Sequence, residues 1–138
     1  MDIQKFYSDL KTYIDTVVSN YCTYSGWIVQ YEKADFNWDG TIILNVTDVK
    51  KSRETGVQKI DLEIIMSLAS YDILASDTKI IMQYLHHYRG IFPSLGADTR
   101  AYVYSGPVGV RVTAPSMEFA QSRDLPHLMF DTFFFVES

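Results

Sequence analysis

Apolar residues recur at spacings of three and four from the start of the chain. Ile3, Phe6, Tyr7, Leu10, Tyr13, Ile14, Val17, Val18 and Tyr21 share one side of a helical wheel, with Lys5, Ser8, Asp9, Lys11, Thr12 and Asp15 mainly between them. That spacing predicts an amphipathic helix with one wide buried face. Ser25-Gly26 breaks the pattern and the period changes. Trp27 to Tyr31 reads as a short strand, and Asp39-Gly40 marks a turn at the end of the loop that follows. Thr41 to Val49 reads as a strand with Ile42, Leu44 and Val46 on one face and Asn45 and Thr47 on the other, Ile43 being an exception. Val57 to Ala69 alternates most clearly of all. Ile60, Leu62, Ile64, Met66 and Leu68 take one face; Lys59, Asp61, Glu63, Ser67 and Ala69 take the other. This is the pattern of a half-buried antiparallel strand with one wet face. With the polar stretch 50–56 between them, the two strands make a long hairpin with a charged tip.

A second helix is expected over roughly Asp72 to Arg89, capped by Asp72 or Ser76, with Ile80, Ile81, Tyr84, Leu85 and Tyr88 as its apolar side. Arg89 and Gly90 read as its stop signals. After a loop over 91–99, Arg100–Tyr104 and Val108–Thr113 read as a hairpin around Ser105-Gly106-Pro107, and 114–127 as irregular. Leu128–Glu137 closes the chain as a strand. Phe134 and Phe135 must point to opposite faces of that strand, as must Met129 and Phe130. Either it is central and covered on both sides, or the face bearing Phe133 and Phe135 meets another protein chain.

The expected fold is α+β, a single domain over residues 1–138 in the order α-β-β-β-α-β-β-β. A mostly antiparallel sheet would carry its two main helices on one face. A length of 138 residues with 47% hydrophobic content supports one core without staples. Aromatic residues are 14% of the chain, enough to furnish contacts beyond a core. The net charge of −5 argues against nonspecific duplex binding, which depends on neutralising phosphates. The lone Cys22 makes no internal disulfide, the N-terminus lacks a signal-peptide pattern, and no apolar run approaches a membrane span, so the chain is expected to be soluble and made in a cytoplasm.

Chemical motifs are sparse. Asp35-x-Asn37-x-Asp39-Gly40 matches the opening of a calcium loop, but the position that needs a bidentate Glu is Val46, and a strand follows where a helix should. The bland alternative is a turn held by side-chain hydrogen bonds. His86 and His87 are adjacent on the predicted helix and cannot share a face, and His127 stands alone in a loop. Cys22, at the end of a core helix, is expected to behave as a small buried hydrophobe rather than a nucleophile. Asp61 and Glu63 share a strand face, but Lys59 beside them makes alternating surface charge the simpler account. The glycines are scattered singly and cradle no nucleotide. These readings point to a protein that is not an enzyme and takes no cofactor or metal.

The alternating strand Val57–Ile64, the helix ending Tyr84-Leu85-His86-His87-Tyr88-Arg89-Gly90, and the closing strand Leu128–Val136 after a polar loop with Ser122-Arg123-Asp124 together resemble the tail terminator family of long-tailed bacteriophages, including the lambda-like ones. The likeness covers nearly the whole chain in outline and rests on architecture rather than a chemical motif. It implies a structural virion protein, assembled in the host cytoplasm and located at the head-proximal end of the tail. There it would form a homohexameric ring that ends tail-tube polymerisation. Its partners would be other copies of itself, the tube protein and a head or neck connector, with DNA passing through unread and no membrane involved. The hairpin tip, Lys50, Lys51, Arg53 and Glu54, would then be the ring or tube contact. Another neck or tail component, such as a stopper, and a small-ligand-binding α+β domain are the alternatives. An enclosed pocket within one chain would favour the latter, and exposed apolar positions at the edges would favour assembly.

Overall fold

The structure, a computed structural model, describes residues 3–31, 39–51, 57–86, 89–91, 100–102, 109–113 and 126–137. The elements in chain order are α1 (Ile3–Tyr21), β1 (Ile28–Tyr31), β2 (Thr41–Lys51), β3 (Val57–Ser67), α2 (Tyr71–His86), β4 (Arg89–Ile91), β5 (Arg100–Tyr102), β6 (Gly109–Thr113) and β7 (His127–Glu137). The fold is α+β, as the periodicity predicts. Among the described residues the sheet has seven strands in the order β1-β2-β3-β7-β5-β4, with β6 also paired to β7. Every pairing is antiparallel except that of β1 with β2.

One core joins both helices to one face of the sheet. Phe6, Tyr7, Leu10, Ile14, Val17 and Val18 of α1 and Leu74, Ile81 and Leu85 of α2 pack with Ile42, Leu44, Ile60, Leu62, Ile64, Met66, Leu128, Phe130 and Phe134. The sheet residues alternate, because a pleated strand sends every second side chain to the same face. Phe6 meets Phe134 edge to face with ring centroids 5.7 Å apart, a favoured aromatic geometry. The two helices are tied by Tyr13, whose hydroxyl donates to the Tyr84 carbonyl at 2.8 Å, and by stacking of Tyr21 on Tyr84 at 4.3 Å. β7 is a central strand. Its full length pairs with β3, from Ser67 opposite His127 to Val57 opposite Glu137, and its other edge receives β6 and β5.

Four expectations are corrected. The expected hairpin of Arg100–Tyr104 with Val108–Thr113 is not found among the described residues, where β5 and β6 each pair with β7. β6 lies along His127–Asp131 and β5 along Phe135–Glu137, both antiparallel to β7 and so parallel to one another. A strand as long as β7 offers an edge that two short segments can share end to end, which local turn chemistry does not reveal. The second helix stops at His86, and Arg89–Ile91 is a strand on β5. The apolar repeat of α2 ends at Leu85, and the backbone of Arg89 and Gly90 finds partners in the sheet instead. The start of α2 is also earlier: Ser70 precedes it and its carbonyl accepts from Leu74 N–H at 2.9 Å, while Asp72 lies in the first turn and Ser76 inside the helix. A serine before the first helical residue suits that boundary.

The fourth correction concerns the sheet face away from the helices. It is wet only at one end, where Lys59, Asp61 and Glu63 are half-buried. At the other end Thr41, Ile43, Ile65, Ser67 and His127 are all buried, although Ile43 and Ile65 stand outside the main core. The apparent exception at Ile43 is therefore a second dry patch, with Ile43 directly opposite Ile65.

Candidate interaction surface

The β2–β3 hairpin carries the features that set this surface. Its register shifts between Val46 and Asp48, so Val46 faces Leu62, Asp48 faces Asp61, and Thr47 is an extra residue. Such a bulge breaks the two-residue alternation and bends the strand. The Thr47 hydroxyl donates to the Asp61 carbonyl at 3.3 Å, and Val46 N–H donates to the Tyr7 hydroxyl at 2.8 Å. Tyr7 in turn stacks on Tyr31, the last residue of β1, at 4.9 Å. The β1 pairing thus covers Thr41 to Leu44, the Tyr7 hydroxyl serves Val46, and from Thr47 to Lys51 β2 has no strand partner on that edge among the described residues. Those five residues are all exposed.

The predicted site residues separate in space. Lys50 and Lys51 lie on this open stretch, where Lys50 Nζ is 3.7 Å from Asp48 Oδ2. The pair is solvent-exposed and contributes little to stability. Arg53 and Glu54 lie outside the described residues. Phe133 is half-buried in β7, opposite Asp61, and Lys59 Nζ sits 4.7 Å from its ring centroid. Phe135 belongs to the same strand, with its backbone in register with Lys59 and Tyr102. The structure therefore groups Lys50 and Lys51 at the β2 edge and Phe133 two strands away, beside Lys59.

Phe133 borders an open groove of about 530 Å³ lined by Thr47, Lys59, Asp61, Glu63, Asp131 and Phe133, among others. Lys59 Nζ is 3.5 Å from Asp61 Oδ1. A cation beside a carboxylate on one strand face is the alternating-charge surface that the sequence suggests, with the Lys59 ammonium also over the Phe133 ring. Among the described residues no group of three or more His, Cys, Asp or Glu is arranged to hold a metal ion.

The other tested motifs also find places. Asp39 Oδ1 accepts from Ala69 N–H at 2.9 Å, and Gly40 N–H donates to the Ser67 carbonyl at 2.9 Å, so this turn is stapled to the end of β3. Asp35 and Asn37, the other positions of the calcium-like motif, lie outside the described residues, as does His87. His127 is buried in β7 opposite Ser67. Cys22 is half-buried, and burial pushes its thiol up to about 12, with the negative charge of Asp77 adding to the effect. A thiol held so high is protonated, and poorly nucleophilic, at neutral pH.

Asp77 is the residue that sequence reasoning missed. It is fully buried on α2, and its carboxylate accepts from Thr23 N–H (2.8 Å), Tyr24 N–H (2.9 Å) and Trp27 Nε1–H (2.9 Å). A buried carboxylate is tolerated only when donors replace its water shell, and here three donors fix the segment between α1 and β1. The signal is in the sequence: Leu74, Asp77, Thr78 and Ile81 are spaced as one buried helix face.

Large apolar side chains left exposed include Ile28 on β1 (58%) and Val49 on β2 (39%), both on the strands at one side of the sheet. Tyr21 at the end of α1 and Tyr71 at the start of α2 are exposed as well. No helix among the described residues is long and apolar enough to cross a membrane. No protein-family model matches the chain, and no curated protein is detectably similar to it in sequence.

Proposed function

We propose that this chain is a structural assembly protein of a tailed-phage virion, a tail terminator. In this reading it closes as a homohexameric ring on the tail tube, stops tube growth and presents a surface to the head or neck connector. The observation that carries the reading is the position of the exposed apolar residues: Ile28 and Val49 lie on the β1/β2 side of the sheet, beside a strand edge that among the described residues is open from Thr47 to Lys51. A ring is built by pairing two different surfaces of each subunit, and open strand edges flanked by apolar side chains serve such contacts. A small-ligand domain needs an enclosed, largely apolar cavity; the groove at Lys59 and Asp61 is open and charged. The chain's net charge of −5 suits a pore through which DNA passes without being held.

The test is solution mass by light scattering over a concentration series, with negative-stain imaging and a capping assay on purified tail tubes. The expected result is a ring of six copies, free or on the tube end, and tubes that no longer elongate. A strict monomer that also leaves tube growth unchanged would end the reading.

A further inference from the structure

We propose that the open edge of β2 pairs with the same edge of a second copy of this chain, antiparallel and centred on Val49, as a two-fold contact of the free protein. The inference concerns the chain off the tube and rests on no part of the terminator reading.

Thr47 to Lys51 is extended, exposed and without a strand partner among the described residues, an edge on which another chain can complete a ladder. Successive residues of a strand turn these groups alternately to the two edges. When two copies pair antiparallel about a two-fold axis, residues facing each other must both turn them the same way. The numbers of facing residues therefore add to an even sum, which leaves three central registers on this short stretch.

Charge decides among the three. Centring on Asp48 sets Asp48 against its own copy, and centring on Lys50 sets Lys50 against its own copy. Like charges directly opposite in a sheet are destabilising. Centring on Val49 sets Asp48 against Lys50 of the second copy, and Lys50 against its Asp48. It also brings the two exposed Val49 side chains together. The two carboxylate–ammonium pairs and the valine pair then fall directly opposite one another, where side chains on one face interact most. The in-chain approach of Lys50 to Asp48, 3.7 Å and solvent-exposed, is weak enough to be exchanged for the paired one. An edge contact only five residues long is small, so the pair is weak and concentration-dependent.

The experiment uses the full chain and two single variants, Asp48→Lys and Lys50→Asp, each followed by sedimentation velocity from micromolar to millimolar concentration, with circular dichroism as the check on folding. The wild type is expected to dimerise reversibly. By symmetry each variant makes both opposed pairs repulsive, and its Kd should rise roughly tenfold to thirtyfold. An equimolar mixture should regain dimers near wild-type affinity. In the mixed pair the lysine introduced by Asp48→Lys faces the aspartate introduced by Lys50→Asp, and the unchanged Asp48 of the second variant faces the unchanged Lys50 of the first. In-chain ion pairing cannot produce that rescue, since neither variant carries opposite charges at the two positions. A wild type that stays monomeric at millimolar concentration, or a mixture no better associated than its components, would overturn the proposal. Wild-type rings that Asp48→Lys leaves intact, with no two-fold species, would also overturn it while leaving the terminator reading in place. A wild-type dimer that shows the charge rescue but never caps a tube would do the reverse.

Discussion

Replacing Asp77 by Ala tests whether one buried carboxylate organises the junction between α1 and the sheet. The wild-type side chain is fully buried and accepts three hydrogen bonds of 2.8–2.9 Å from Thr23, Tyr24 and Trp27. Hydrogen bonds to a charged group contribute about 1.5–3 kcal/mol each, and a buried donor stripped of its acceptor costs about 1–3 kcal/mol. The Trp27 bond is buried and takes the full penalty; the two backbone donors are partly buried, so water recovers part of theirs. Removing the carboxylate also removes the cost of burying it, which offsets some of the loss. The balance is a destabilisation of about 3–5 kcal/mol, a large part of the roughly 5–15 kcal/mol available to a domain. Asp77→Asn keeps one acceptor but turns an amide N–H₂ toward a donor, and should lose at least about 2 kcal/mol. Urea unfolding followed by circular dichroism measures both, with Gln83→Ala, exposed on the same helix, as a control expected within about 0.5 kcal/mol of wild type. A loss below about 1 kcal/mol for Asp77→Ala would show that the three contacts do not hold the segment in place.

Two further outcomes follow from neighbouring residues. Gly40 has φ 77°, and a Cβ there would stand 2.8 Å from a Tyr24 ring carbon, so Gly40→Ala combines about 1–2 kcal/mol of left-handed backbone cost with a clash. Gly26→Ala would also approach the Tyr24 ring, at 2.6 Å from its hydroxyl oxygen, but without the backbone cost, so Gly40→Ala should be the more damaging of the two in urea midpoint, and the opposite ranking would refute the assignment. The Cys22 thiol lies at about 12 in the folded chain against an ordinary 9.0. Because the folded value is raised, its contribution to stability is complete below about pH 9 and is lost as pH climbs from there toward 12. Unfolding free energy should therefore fall over that window in the wild type and less steeply in Cys22→Ala. Iodoacetamide should label folded Cys22 at a rate still rising above pH 10, and Asp77→Asn should move that profile to lower pH by removing a nearby negative charge.

What could be read from the chain was whatever repeats with the period of a regular element. The buried face of α1, the inner face of β3 and the α+β class all follow from spacings of three to four or of two. What could not be read depends on partners distant in sequence. That β5 and β6 share one edge of β7 is a property of the length of β7, and no local turn signal reports it. Nor does the alternation report that Ile43 and Ile65 are buried on the face that carries Lys59, Asp61 and Glu63. The bulge at Thr47 did leave a trace: Val46 and Val49, both apolar, are three apart, a spacing that a regular strand cannot put on one face. The candidate surface was half legible, because the hairpin tip stands out by charge, whereas the open edge beside it appears only once the pairing of β1 with β2 is seen to end at Leu44.

Lys50 and Lys51 on an open strand play two roles that pull against each other. Charged residues on an edge discourage indiscriminate pairing, because most registers bring like charges together. Asp48, two residues before Lys50, leaves one self-register in which the charges help. The same backbone groups are the proposed ring or tube contact, so a subunit engaged in the two-fold pair cannot use them for assembly. That competition is mild by arithmetic. A pair with Kd of about 10⁻⁴ M, at free chain of about 10⁻⁴ M, takes only about 0.4 kcal/mol from a competing contact, by RT ln(1 + [L]/Kd). A tube end that engages several subunits at once gains far more through effective concentration. A weak, charge-selected pair would thus cover the edge on free chains and yield it wherever a growing tail presents its end.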